Sequence, residues 1–232
     1  MNYPSSTRIR YSTVLFDIDG TLVDSNDAHA HSWVRAFADA GIPVEFERVR
    51  CAIGMGGDKL MPSVAAVDAE SPLGTRISKR RGDIFKSEYL PSLRAFRDAG
   101  KLVAAVQALG MKAVAASSAK REELEALLTI AGAASLAGDS TSGDDAEESK
   151  PDPDIIHAAL KKANAAPDRA VMIGDTPYDI EAASRAGVRT IAFRCGGWSD
   201  TALRGAIALY DGPWDLCEQL ARSPLAMSPA QD

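Results

Sequence analysis

Val14-Leu15-Phe16-Asp17-Ile18-Asp19-Gly20-Thr21-Leu22 is the stretch on which the reading of this chain turns. An apolar run that ends in two carboxylates two positions apart, then a glycine, describes a buried strand closing in a turn. Side chains alternate along a strand, so Asp17 and Asp19 leave it on the same side. Two acids converging there repel each other unless a cation or a shared proton relieves them. The stretch is therefore a candidate site for a divalent metal and for nucleophilic or acid/base chemistry. Taken alone it is also compatible with an acidic surface loop, because Asp-Gly is a common turn pair.

Further apolar runs follow at 112–116, 170–173, 188–193 and 207–210, with helical patterns at 98–109, 120–131, 152–163, 178–186 and 213–221. Strands alternating with helices predict an α/β fold with a doubly wound parallel sheet. Residues 26–90 differ: they carry helical periodicity (Trp33, Val34, Phe37 and Ile42 in the first segment) without a convincing strand. A helical insert of this size after the first strand is expected to form a small cap over a core made of 1–25 and 91–232. Such caps can close over a site and exclude water.

With 232 residues and 46% hydrophobic content, the chain can bury one sizeable core and a small accessory domain. Its net charge of −6 argues against a nucleic-acid partner, which needs a basic face. Cys51, Cys195 and Cys217 are odd in number and widely spaced, which fits a reducing compartment rather than a disulfide scaffold. No apolar run approaches the roughly 20 residues of a membrane span, and Met1 to Thr13 lacks the apolar centre of a signal peptide. A soluble, cytoplasmic protein, monomeric or a weak dimer and without a membrane partner, is expected. The tail from Ser223 to Asp232, with two prolines, is expected to fray.

In an open α/β sheet, ligands bind outside the carboxyl ends of the strands. Those ends carry Asp17 and Asp19, then Ser117-Ser118, then Gly174-Asp175, while Lys150 lies in Ser149-Lys150-Pro151, just before a helix. Carboxylates suit a hard cation such as Mg²⁺. The hydroxyl, the ammonium and the amides of the Asp19-Gly20-Thr21 turn are donors for negative oxygens. Together they describe phosphoryl transfer. Singly, each has a plainer reading: Ser117-Ser118 as a helix N-cap, Lys150 as a solvated lysine, Asp179 as a first-turn acid behind Pro177.

Over nearly its whole length the chain resembles the haloacid dehalogenase-like (HAD) hydrolase superfamily. The resemblance rests on Asp17-Ile-Asp-Gly-Thr-Leu-Val-Asp-Ser25, Ala116-Ser117-Ser118, Lys150-Pro-Asp-Pro and Gly174-Asp175-Thr-Pro-Tyr-Asp179. The helical insert is similar to the C1-type cap of the phosphoglycolate phosphatase and β-phosphoglucomutase branch. The resemblance implies a Rossmann-like core and, residue by residue, a mechanism. Asp17 would be the nucleophile that becomes an aspartyl-phosphate, and Asp19 the general acid and base. Ser117 would bond a phosphoryl oxygen and Lys150 would neutralise charge. Asp17, Asp175 and the backbone carbonyl of Asp19 would hold Mg²⁺, supported by Asp179.

Within that superfamily the residue two after the nucleophile discriminates. Dehalogenases resemble Asp-x-Tyr there and phosphonatases Asp-x-Ala, so Asp19 selects a phosphatase or phosphomutase acting on a small phosphorylated metabolite. A mutase cap needs an arginine for a second phosphate, and the matching loop here is Gly56-Gly57-Asp58. That tips the expectation to phosphatase. Lys59 as a Schiff-base lysine is set aside because of Asp19, and Gly54-Met55-Gly56-Gly57 follows no strand and lacks the P-loop Gly-Lys-Ser/Thr. Gly20, Thr21, Ser118, His29, Gly57 and Lys59 are the candidate substrate contacts. A non-catalytic module on the same fold is the third possibility.

Overall fold

The computed structural model describes residues 11–226. The five expected strands form one all-parallel sheet in the order β2-β1-β3-β4-β5. They are β1 (Thr13–Phe16), β2 (Lys112–Ala115), β3 (Ala170–Gly174), β4 (Arg189–Phe193) and β5 (Ala208–Tyr210). β1 is central: Thr13 pairs with Lys112 on one side and Ala170 on the other. Order reverses between β1 and β3, and in such sheets that switch point opens the crevice where ligands bind.

Nine α-helices accompany the strands among the described residues: α1 (Asn26–Asp39), α2 (Phe46–Arg50), α3 (Gly57–Ala65), α4 (Pro72–Ile84), α5 (Ala99–Ala108), α6 (Arg121–Ile130), α7 (Asp154–Ala163), α8 (Pro177–Arg185) and α9 (Pro213–Gln219). The period of two in the strands sorts them into layers. Val14 and Phe16 of β1 and Val171 and Ile173 of β3 pack with Leu102 and Val106 of α5, Leu124 and Leu127 of α6 and Leu216 of α9. Leu15, Val114 and Met172 point the other way, onto Ile155, Ile156 and Ala159 of α7 and Ala182 of α8. Burial on both faces is why these strands read as continuous apolar runs rather than alternating ones.

Helices α1–α4 bury a third cluster of their own: Trp33 and Phe37, Val49, Leu60, Met61 and Val64, then Ile77 and Ile84. The chain leaves the sheet and returns to it through one stem. Val23 and Ala95 form an antiparallel bridge, with Asp24 N donating to Arg94 O and Phe96 N to Leu22 O. After α4 a π-helical turn, Phe85–Tyr89, carries the chain down to that stem.

The tail is a correction. Ser223 and Leu225 are buried, and Leu225 packs against the α5/α6 layer. Leu225 extends the apolar edge that Leu216 and Leu220 already pack against the same core. The rest of the expected fraying segment, 227–232, and most of the segment read against a signal peptide, 1–10, lie outside the described residues. Among the described residues no helix is long and apolar enough to cross a membrane.

Candidate active site

β1 ends at Phe16, and Asp17 continues the ladder by donating its N–H to Ile173 O at 2.9 Å. The chain then folds on itself: Leu22 N and Val23 N both donate to Ile18 O, at 2.8 and 3.0 Å. Gly20 sits in this turn at φ +74°, and a Cβ there would lie 2.1 Å from Asn26 Nδ2 and 2.3 Å from Asp175 Oδ2. Only glycine fits both the backbone and the space.

Beside it, β3 ends in Gly174 and delivers Asp175, while α8 opens immediately with a capping box. Asp179 N donates to Thr176 Oγ1, and Thr176 N donates back to Asp179 Oδ2 at 3.0 Å. The cap fixes Asp179 at the sheet edge. Carboxylate oxygens of Asp17, Asp175 and Asp179 lie within 4.8 Å of one another, all buried.

One cation faces them. Lys150 is 1% exposed; it donates to Asp17 Oδ1 at 2.6 Å and Ala116 O at 3.0 Å and forms an ion pair with Asp179 Oδ1 at 2.7 Å. Thr21 Oγ1 is within donating reach of both Asp175 Oδ1 (2.9 Å) and Asp17 Oδ2 (3.2 Å), and Asn26 Nδ2 donates to Asp175 Oδ2 at 2.9 Å.

Asp19 is separated from this group. Its Oδ1 accepts the Ser25 hydroxyl at 2.5 Å and lies 2.8 Å from His29 Nε2. The His29 ring stacks on Phe85, with centroids 4.1 Å apart.

These environments shift the acids differently. Burial pushes Asp17 well above the ordinary carboxylate range; Lys150 opposes this, while Asp179, Asp175 and Asp19 add to it. Asp175 is pushed up to about 7, by burial first and then by the Asp179 charge. Burial raises Asp19 too, but His29, the Ser25 hydroxyl and Arg81 outweigh it and hold Asp19 below the ordinary range. Burial lowers Lys150, and the charges of Asp17 and Asp179 more than reverse that. Three buried acids against one ammonium leave surplus negative charge on hard oxygen donors. That donor set fits a divalent cation of the Mg²⁺ or Ca²⁺ kind.

Ser117 closes the small cavity, of about 70 Å³, that Asp17, Asp19, His29 and Gly57 also line. Its Oγ accepts the Ala119 N–H at 3.1 Å, which leaves its own O–H to donate. Neither serine caps α6, whose cap residue is Lys120. Ser118 Oγ is buried with no hydrogen-bond partner.

Several candidate contacts fall elsewhere. The Gly20 and Thr21 amides are spent within the turn, on Val23 O and Ile18 O, so they form no free anion nest. Lys59 pairs with Glu148 and, at 3.1 Å, with Asp152, away from the cavity; the Glu148 hydrogen bond above all pushes it up to about 12. Its acid partners take the charge that substrate would need.

Sequence reasoning missed Asn26, Trp33, Arg81 and Glu123. The cap loop lacks an arginine, but Arg81 reaches the same cavity from α4. It lies over the Trp33 and Phe85 rings and is gripped by both oxygens of Glu123, at 3.2 and 3.0 Å.

The haloacid dehalogenase-like hydrolase family model matches residues 14–193, and the chain belongs to that family. It is 29% identical to validoxylamine A 7'-phosphate phosphatase of Streptomyces hygroscopicus subsp. limoneus, over 77% of this chain and 83% of that one. It is 28% identical to a phosphoglycolate phosphatase of Rhodospirillum rubrum, over 94% of this chain and 96% of the relative. The crystal structure of a hydrolase from Pseudomonas syringae superposes with a TM-score of 0.84 at 27% identity, covering 91% of this chain and 98% of that one.

Proposed function

We propose that the chain is a Mg²⁺-dependent phosphatase that hydrolyses a small phosphorylated metabolite through a phosphoryl-Asp17 intermediate. The observation that carries this reading is the contrast between two acids two residues apart. Asp17 is buried against Lys150, and Asp19 is 19% exposed in its side chain and faces His29 across the same cavity. Placement divides their roles: Asp17, held by Lys150 beside Asp175 and Asp179, suits the nucleophile, and Asp19, open to the cavity beside His29, suits the acid/base. Phosphatases among the relatives support it.

Asp17 Oδ2 attacks phosphorus and the bond to the leaving alcohol breaks, while Asp19 delivers a proton to the departing oxygen. Water then attacks the same phosphorus and Asp19 takes its proton, which frees Asp17 and releases inorganic phosphate. Asp19 is held low before substrate arrives, and an incoming phosphoryl dianion raises its proton affinity by like-charge repulsion. Lys150 holds the nucleophile's other oxygen, and Ser117 donates to a phosphoryl oxygen. Asp17, Asp175, Asp179 and the Asp19 carbonyl would hold the Mg²⁺, which when bound offsets phosphate charge. Residues 26–90 act as the cap, closing the cavity through Trp33, Gly57 and Arg81. Three free cysteines support a reducing, cytoplasmic setting.

A phosphomutase would need a cation for a second phosphate. Arg81 is in place but committed to Glu123, so this reading is the weaker. Hydrolysis of an aryl phosphate, followed with Mg²⁺ and with chelator, tests the phosphatase. Activity should require the metal and fall by at least about 10³-fold in Asp17→Asn. Turnover retained in that variant would sink the nucleophile assignment, and a folded chain inert toward every phosphate ester would leave the non-catalytic module.

A further inference from the structure

Next to the small cavity, and sharing Gly56, Gly57 and Ser118 with it, lies a cleft of about 600 Å³ between α3, α4 and the 143–149 loop. The shared serine is the one whose buried Oγ has no partner. The small cavity around Asp17 therefore adjoins this cleft along those three residues. Clefts of about 300–1,000 Å³ are the size that encloses drug-sized molecules. A two-carbon hydroxy acid would leave most of this one empty, whereas an alcohol of one or two sugar rings fills it.

Its walls carry a definite charge. Asp58, Glu70, Asp144 and Glu147 face Lys79 and Lys120, four carboxylates against two ammonium groups, a balance of −2. Lys79 is itself paired, with Asp83 at 3.5 Å. Among the described residues Glu70, Glu147 and Lys120 make no ion pair, while Arg81 of the adjoining cavity is held by Glu123 and Arg121, next to Lys120, by Asp145. The hydroxyls of Thr75, Ser78 and Ser149 line the same space and can donate to or accept from an alcohol. An anionic leaving group would meet like charge here with no free partner but Lys120. A neutral polyol would meet hydroxyls, and an amine would meet carboxylates.

Resting on the phosphatase reading above, we propose that this cleft takes the leaving alcohol and selects a polyhydroxylated one of sugar size, uncharged or bearing an amine. It selects against an alcohol that carries a carboxylate or a second phosphate.

The test compares kcat/KM for glucosamine 6-phosphate, glucose 6-phosphate, 2-phosphoglycolate and fructose 1,6-bisphosphate, with the aryl phosphate alongside. The two hexose monophosphates should exceed the two substrates with an added negative group by about tenfold or more, glucosamine 6-phosphate leading. In Glu70→Gln/Glu147→Gln the ratio of glucosamine 6-phosphate to phosphoglycolate should narrow to about threefold or less. Equal or inverted preference, or a ratio untouched by the double change, overturns the proposal. Thermal protection of Asp17→Asn by the same four compounds reads the cleft without turnover, so the two readings can fail separately. The same order of protection supports the cleft assignment even where aryl phosphate is inert, and the reverse order overturns it even where aryl phosphate is hydrolysed.

Discussion

Lys150 shows what a single residue must do at this site. It is fully buried, hydrogen-bonded to Asp17 and the Ala116 carbonyl and ion-paired with Asp179 as well. A buried ion pair adds little to stability as a whole, but removing one partner strands the other in a medium that cannot solvate it. Lys150→Met should therefore destabilise the metal-free protein by about 3–5 kcal/mol at pH 8. The loss should shrink at pH 5, where the stranded carboxylates take up protons instead of standing charged. Denaturant melts at the two pH values measure this; an equal loss at both would mean that the lysine acts by packing alone. Its importance was legible because the Ser149-Lys150-Pro151 segment, just before α7, belongs to a local motif.

Arg81 and Glu123 could not be read the same way. They lie 42 positions apart, each among other charges on a helix, and each alone reads as solvated surface. Their burial depends on how α4 docks against α6, which no local period encodes. The register does explain why the pair sits where it does. Arg81 and Phe85 are four apart, so the guanidinium lies over the ring that stacks on His29. Helix α4 thus reaches both the site and α6 with one face. Arg81→Met leaves Glu123, 4% exposed, without its partner and should cost about 2–4 kcal/mol. Arg81→Met/Glu123→Leu should recover more than half of that in urea melts. A double variant no more stable than the single would show that the clamp is not what ties the two helices. The strands were legible for the opposite reason: a parallel strand buried on both faces is apolar at every position, and Val14-Leu15-Phe16 needs no partner to say so.

At the scale of the molecule, the acidic site couples stability to pH and to metal. Asp175 has a folded pKa of about 7, raised above its unfolded value, and Asp17 is raised as well. Between about pH 4 and 7 the folded state binds more protons than the unfolded chain, so stability falls as pH rises through that window. Asp19, held low, contributes stability that is complete above pH 4 and is lost only as pH falls further; raised Lys150 contributes evenly up to about pH 10. The chelated protein should melt at a lower temperature at pH 8 than at pH 5.5. Because a cation replaces the protons, Mg²⁺ should raise Tm more at pH 8 than at pH 5.5. Equal Mg²⁺ shifts at both pH values would place the ion away from these acids. The stem has a different consequence. Exit and return strands meet at Val23 and Ala95, so the ends of everything between them are already side by side. Lengthening that segment changes the entropy of closing the loop only slowly. Added length is thus absorbed at one residue pair, provided that Asn26, His29 and Arg81, which the same segment brings to the acids and to α6, keep their places.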